Sequence, residues 1–330
     1  KVFLFRTTIT LALICFLFAV MSMGKWRFPA RALWRQPLVL SVVIFCLLFL
    51  LTALVGILPA QSFWSNFERG EGAFQIMHYL VFFLLAIFLF NSEIEWRNVL
   101  RWNVAVSILV SLYGFLQWLG KLNIKTFVIA TGGRSSGTLG NPSYLNAYLI
   151  FNIFFTVWLF YKEKNPRLKW LWAVCAAFQV FVYFKTETLA AYLGFAAALF
   201  LLIVLYLFQL YQQMRIYNTH KKLFVAMCYA GSVFILVIAG SAIYLFSTID
   251  LYQRLQPRFW TWGSALAGIQ EWPLLGWGSE NFAEPFDKYY NPNHFGRESW
   301  FGRTHNFFLE YLIGGGVILL QAQLAMFLFF

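Results

Sequence analysis

Charge is what this chain has least of. Only 12% of its 330 residues are charged and just 13 are Asp or Glu, against 61% hydrophobic and 21% aromatic residues. A soluble domain of that length could not hide so much apolar side chain. The sequence is also poor in cysteine, and all four (Cys15, Cys46, Cys175, Cys228) fall inside apolar runs. Their spacing suits neither a disulfide framework nor a zinc site, so they read as small packing residues. Alternating ten-residue segments are missing, which excludes an outer-membrane barrel. The apolar runs lack the paired Asp, Glu or Arg of a proton relay or voltage sensor, which argues against a channel or ion-driven transporter.

What is present is a series of apolar runs long enough to cross about 30 Å of hydrocarbon as helices. Nine candidate spans are expected, near 4–23, 38–60, 73–90, 99–120, 144–161, 170–184, 189–211, 223–247 and 307–330. The fold class is therefore an all-α polytopic membrane protein. Residues 1–247 would form a transmembrane bundle with short loops, 248–306 one long extracytoplasmic loop, and 307–330 the last span. The chain starts at Lys1 next to an apolar run and stops at Phe330 inside one, so a further helix is expected at each end.

The formal net charge of +12 would suggest nucleic acid in a soluble protein. Here the Lys and Arg residues sit in short connections, so no nucleic-acid partner is expected and the charge reports topology. Lys25, Arg27, Arg31 and Arg35 share one side with the connections at 162–169 and 212–222 when crossings are counted. That side is the cytoplasmic one by the positive-inside rule. Segments 61–72, 121–143, the turn near Lys185 and the long 248–306 loop then face outward. Within the spans, Gln75 and His78 stand out as polar, and a helix-packing role is the simpler reading of both.

Three outward stretches carry the chemistry. GGRSSGTLGNPSYLNAYL (Gly132–Leu149) offers a flexible backbone, with Arg134 in the bend and Asn141-Pro142 breaking the chain before a span. In RLQPRFWTWGSALAGIQEWPLLGWGSENF (Arg254–Phe282), Arg254 and Arg258 are four residues apart and share a helix face with Trp262. A bend at Pro273–Gly278 should end that helix. Two guanidiniums at a membrane surface suit a pyrophosphate, whose oxygens each fork can bind, and they equally suit lipid headgroups. The third stretch, FGRTHNFFLEYLIGGGVILL (Phe301–Leu320), sets Arg303, His305 and Asn306 at the mouth of an apolar run. His305, like His294, can accept a proton near neutral pH, and Asn306 could orient it or a sugar hydroxyl. No metal-ligand set is recognisable among His294, His305, Glu284, Asp287 and Glu298.

Taken in order, an Arg followed by GTLGNPSYLNAY, then RFWTWGSALAGIQEWPLLGWGSENF, then THNFFLEYL before a span resemble the O-antigen ligase and polymerase superfamily of bacterial membrane glycosyltransferases. FWSNFERGEGAFQIMHYL (Phe63–Leu80) is also similar to a segment of some members. The resemblance implies an enzyme of the bacterial cytoplasmic (inner) membrane with its active site on the extracytoplasmic face. Its donor would be a glycan on undecaprenyl pyrophosphate, and its acceptor another glycan, lipid A core or a protein hydroxyl. Neither metal nor other cofactor is implied. Carried over by position, His305 and Arg258 would be catalytic, and Arg254, Arg134, Asn306, Arg303 and Asn141 would bind substrate. Two departures are visible: KTETLAAYLG (Lys185–Gly194) has Leu189 where members carry an Arg, and Gly314–Gly316 follow the His where a carboxylate is usual. Two competing classes remain: a lipid-linked glycan flippase or exporter, and a metal-dependent oligosaccharyltransferase for which Glu68 and Glu71 are the available acids.

Overall fold

The computed structural model describes residues 34–66, 70–90, 92–121, 134–217 and 251–329, with Leu11, Ile14 and Gly231 as isolated positions. The expected spans at 4–23 and 223–247 lie outside these residues. The described residues are all helical or irregular, with no strand. Ten α-helices run α1 Pro37–Val55, α2 Pro59–Trp64, α3 Ala73–Leu89, α4 Glu93–Lys121, α5 Pro142–Lys162, α6 Pro166–Phe184, α7 Leu189–Tyr217, α8 Leu251–Glu271, α9 Ala283–Lys288 and α10 Phe307–Phe329. Of these, α1, α4, α5 and α10 are long and apolar enough to cross a membrane, and Ala73–Leu89 and Tyr192–Val204 are shorter apolar helices.

Asparagine followed by proline recurs as the starting signal. In α5 the Asn141 side chain accepts from Ser143 N at 2.8 Å, and in α6 Asn165 accepts from Arg167 N at 3.0 Å. In both, the next residue is the proline that opens the helix. The asparagine satisfies an orphan amide, while proline fixes φ where its missing N–H is no loss. Asn291-Pro292 starts a short 3-10 turn in the same way.

The chain forms two compact units, one of residues Lys1–Phe90 with Leu245–Phe330 and one of Asn91–Tyr244. In the second unit α5 packs on α4 and α6 around Leu145, Leu149, Ile153, Val182 and Tyr183. A buried polar ladder crosses this packing, unannounced by the hydrophobic pattern. Gln179 Nε2 donates to Ser107 Oγ at 2.6 Å, and Thr156 Oγ1 donates to Gln179 Oε1 at 2.9 Å. Such pairs hold apolar helices in one register where hydrophobicity alone cannot.

In the first unit α1 packs along α10 and α3 through Phe45, Phe49, Ala53, Ala73, Leu319 and Ala322. Within the span expected at 307–330, α10 is broken at Gly316, with φ 68° and ψ −170°. The loop after α8 fills the break. Trp277 N donates to Ile313 O at 2.8 Å, Gly278 N to Gly314 O at 2.9 Å, and Val317 N to Pro273 O at 2.9 Å. These bonds take up carbonyls and an amide that the interrupted helix leaves open, which buried backbone requires.

Glycine makes this approach possible. A Cβ at Gly316 would stand 2.0 Å from Leu274 O, and one at Gly276 (φ 65°) 2.6 Å from Ile313 O. The same loop meets the end of α1, where a Cβ on Gly56 would lie 2.6 Å from Gly278 Cα. The Gly314–Gly316 run is thus the seat of a loop.

Gly316→Ala and Gly276→Ala should each lose about 2–3 kcal/mol or more, because the strained φ and the backbone clash act together. Gly263→Ala in α8, where nothing lies within 4 Å of the added Cβ, should be neutral or slightly stabilising. Thermal unfolding of the purified variants in detergent checks this, and equal tolerance at the three positions would contradict the packing described.

Candidate functional site

Helix α8 supplies one wall. It carries Arg254, Arg258 and Trp262 at four-residue spacing, so the three share a face. Arg258 is exposed, whereas the Arg254 side chain lies outside the described residues. Trp262 Nε1 donates to the carbonyl of Thr304 at 2.8 Å. That single bond fixes the 301–306 segment against α8, one helical turn along from Arg258. The helix ends at Glu271, just before the Pro273–Gly278 bend, as expected.

The start of α10 supplies the other wall. Asn306 caps the helix, its side-chain oxygen accepting from Phe308 N at 3.0 Å and Leu309 N at 3.3 Å. Glu310 reaches back and accepts from Thr304 N at 2.9 Å and Thr304 Oγ1 at 2.7 Å, a reciprocal arrangement akin to a capping box. His305 lies between these two anchors with φ at 52°, exposed, its ring edge-on to Phe301 at 5.5 Å. A left-handed histidine costs on the order of 1–3 kcal/mol and persists because its neighbours are fixed. Four non-glycine residues have positive φ among the described ones, and three of them, Ser65, Glu280 and His305, lie in this region. Strain concentrated in this way marks functional sites.

Between the walls sits a charge cluster that the sequence reading missed. Arg303 pairs with Glu280 through Nη2 and with Glu71 at 2.7 Å, while its Nε lies 4.0 Å from Glu310 Oε1. Glu280 is braced in turn: Ser65 Oγ donates to its Oε2 at 2.8 Å and Gln61 Nε2 to its carbonyl at 2.8 Å. Burial works against the Arg303 charge more than any single neighbour supports it. The combined fields of Glu280, Glu71 and Glu310 nonetheless outweigh that penalty and raise its pKa. Arg303, expected from the resemblance to bind substrate, is therefore already met by carboxylates. The group lines a cavity of about 270 Å³ with Gln75 and Tyr311. A second opening of about 320 Å³ shares Arg303, Glu310 and Tyr311 and adds His305, Asn306 and Phe307.

The remaining expected residues are placed as follows. His294 is fully buried among the rings of Trp260, Phe286, Tyr290 and Phe301. Its Nδ1 lies 3.1 Å from the Glu298 carbonyl, and burial lowers its pKa, so it is a neutral packing residue beneath the site. His78 Nδ1 bonds back to Phe74 O at 2.7 Å within α3, a packing contact. Arg134 and Asn141 belong to the other unit: Arg134 is exposed, and Asn141 caps α5. The loop that carries them is held by Gln117 Oε1, which accepts from Ser136 N at 3.0 Å and Gly137 N at 2.8 Å, and by Ser135 N donating to Lys185 O at 3.2 Å. Lys185, the cation nearest in sequence to Leu189, has its ammonium 4.7 Å from the Trp118 ring and 5.2 Å from Phe181.

The described residues thus define a helical protein with four helices long and apolar enough to cross a membrane and, in its first unit, a polar cluster at the mouth of α10. Residues 173–322 match the family model described as O-antigen ligase. The chain is also similar to the ComP-specific O-oligosaccharyltransferase of Acinetobacter baylyi (strain ATCC 33305 / BD413 / ADP1), with 22% identity over 262 residues. That alignment covers 74% of this chain but only 45% of the relative, so the chain spans less than half the length of the curated relative it matches. No solved structure matches. The resemblance to the O-antigen ligase superfamily read from the three outer stretches is supported by both matches.

Two outcomes follow from this geometry. Arg303→Ala should cost about 2–4 kcal/mol, below the range for a fully enclosed pair because the side chain remains partly exposed, and the loss is readable in thermal unfolding. The lowered His294 pKa means the folded state binds fewer protons than the unfolded chain as pH drops below about 6.5. Stability from this residue is present above that pH and is lost as pH falls toward the folded pKa. His294→Phe should flatten the acid limb of a stability profile below about pH 6.5.

Proposed function

We propose that the chain is the active part of a bacterial inner-membrane glycan transferase of the O-antigen ligase or polymerase type. The donor is a glycan on undecaprenyl pyrophosphate, and the acceptor is a hydroxyl of another glycan, lipid A core or a protein. With the nine spans expected from the sequence, the long 248–306 segment and the His305 mouth would lie on the extracytoplasmic face, at the level where a lipid carrier presents its headgroup. The observation that carries the reading is His305, exposed and held in a strained conformation beside the helix that presents Arg258.

In this reading the acceptor oxygen attacks the anomeric carbon of the donor sugar. A new glycosidic C–O bond forms, the bond from that carbon to the pyrophosphate oxygen breaks, and the electron pair leaves with the pyrophosphate. The acceptor proton passes to His305. Arg258, with Arg254 one turn away, receives the charge that develops on the leaving group. Arg303 acts differently: its carboxylate partners make it a brace for the His305 segment. Asn306 and Asn141 serve chiefly as helix caps that fix their loops. The relative's printed name, a ComP-specific O-oligosaccharyltransferase, describes transfer of an oligosaccharide to an oxygen, chemistry of this same kind.

The test is glycan transfer in membranes carrying full-length protein. His305→Ala should reduce transfer about 10²–10⁴-fold and Arg258→Ala about 10²–10³-fold, with carrier-linked glycan accumulating while the protein remains inserted. Normal product from both variants would overturn the mechanism. Loss of carrier-linked glycan from the outer leaflet, instead of its accumulation, would favour a flippase.

A further inference from the structure

The cavity around Arg303 has an imbalance the proposed reaction does not use. Three carboxylates, Glu71, Glu280 and Glu310, face one guanidinium, and the cavity is lined by no other Lys or Arg among the described residues. Its remaining wall combines the rings of Phe49, Tyr79, Phe282 and Tyr311 with aliphatic, glycine and small polar residues. The cavity shares Arg303, Glu310 and Tyr311 with the opening that holds His305, so an occupant of one abuts the other.

We infer that this cavity is the acceptor subsite and that its excess of negative charge selects an uncharged, hydroxyl-bearing sugar over an anionic one. The inference rests on the transferase reading and adds to it the charge of the accepted group. Carboxylates accept hydrogen bonds from sugar hydroxyls, and an aromatic wall packs against the apolar face of a ring. The volume of about 270 Å³ has room for a single sugar ring. The cluster is also incomplete as it stands. Arg303 Nε is buried without a hydrogen-bond partner, and Glu310 Oε1 lies 4.0 Å away, beyond bonding distance. A ligand oxygen reached by a small turn of the guanidinium would satisfy that donor.

The same charge excludes the donor pyrophosphate. An anion entering here would meet carboxylates in surplus, whereas Arg258 stands exposed on α8. Donor phosphate and acceptor ring are thereby sorted by the sign of the local charge, the one toward exposed Arg258 on α8 and the other into the carboxylate-rich cavity.

Glu71 is the residue to alter. Its side chain is about half exposed, and with Glu71→Gln the Arg303–Glu280 pair and the Thr304–Glu310 bond remain to hold the 301–306 segment while one charge is removed. Full-length protein in lipid nanodiscs would be titrated with methyl glucoside and methyl glucuronide, binding being followed by saturation-transfer NMR. Wild type should prefer the uncharged glycoside, and Glu71→Gln should narrow that preference by about 1.5- to 5-fold. Raising the salt to about 1 M, where screening acts within about 3 Å, should narrow the wild-type preference without any substitution. Equal binding of the two glycosides, binding of neither, or a preference unmoved by both Glu71→Gln and salt would overturn the subsite. Because the readout is binding, loss of the transferase reading would appear separately, as normal transfer by His305→Ala.

Discussion

The first unit depends on one backbone contact, the seating of the 273–278 loop in the break of α10. An interrupted helix inside a membrane protein exposes carbonyls and amides that nothing apolar can satisfy. Here Trp277, Gly278 and Pro273 provide the partners, and Gly276 and Gly316 provide the space. From that junction the chain runs directly into Glu280 and Asn281, and Asn281 Nδ2 donates to Ser62 Oγ at 3.0 Å. The α1–α2 corner, the end of α8 and the start of α10 are therefore fixed by the same short stretch. The polar cluster stands on this frame.

Electrostatics then divides the mouth into two regions. Arg258 is exposed on α8, while Arg303 is enclosed by carboxylates. Two arginines that look alike in sequence thus stand in different surroundings, one exposed and the other paired with carboxylates. His305 is joined to α8 through Thr304 and Trp262 and to α10 through the Asn306 cap. A reaction that couples an anionic leaving group to a neutral nucleophile needs this kind of separation.

Much of this was legible in the sequence because it rests on local rules. The apolar runs place α3 at Ala73–Leu89 and α5 at Pro142–Lys162 close to their expected limits. Pro273 and Gly276 announce the end of α8, and Asn141-Pro142 announces the start of α5. The break in α10 was hidden, since Gly314–Gly316 sit inside a run whose hydropathy suits one continuous span. The carboxylate cluster was hidden for another reason. Glu71, Glu280 and Glu310 are far apart in the chain and become neighbours only through the α1, α3 and α10 packing. One signal was available: acidic residues are so scarce in this sequence that each one outside the basic connections invites a search for its cation. The ladder of Ser107, Thr156 and Gln179 escaped notice because small polar residues scarcely alter the hydropathy of a long apolar run.

The central claim is that a pyrophosphate-linked lipid docks where α8 meets the His305 mouth. The most direct measurement is photo-cross-linking with an undecaprenyl-pyrophosphate glycan carrying its reactive group next to the phosphates, followed by mapping of the labelled peptides. The account predicts label within residues 251–262 and 301–307, suppressed by excess unlabelled carrier. Specific label confined to the basic connections at 162–169 and 212–222, with none near Arg258 or His305, would contradict it.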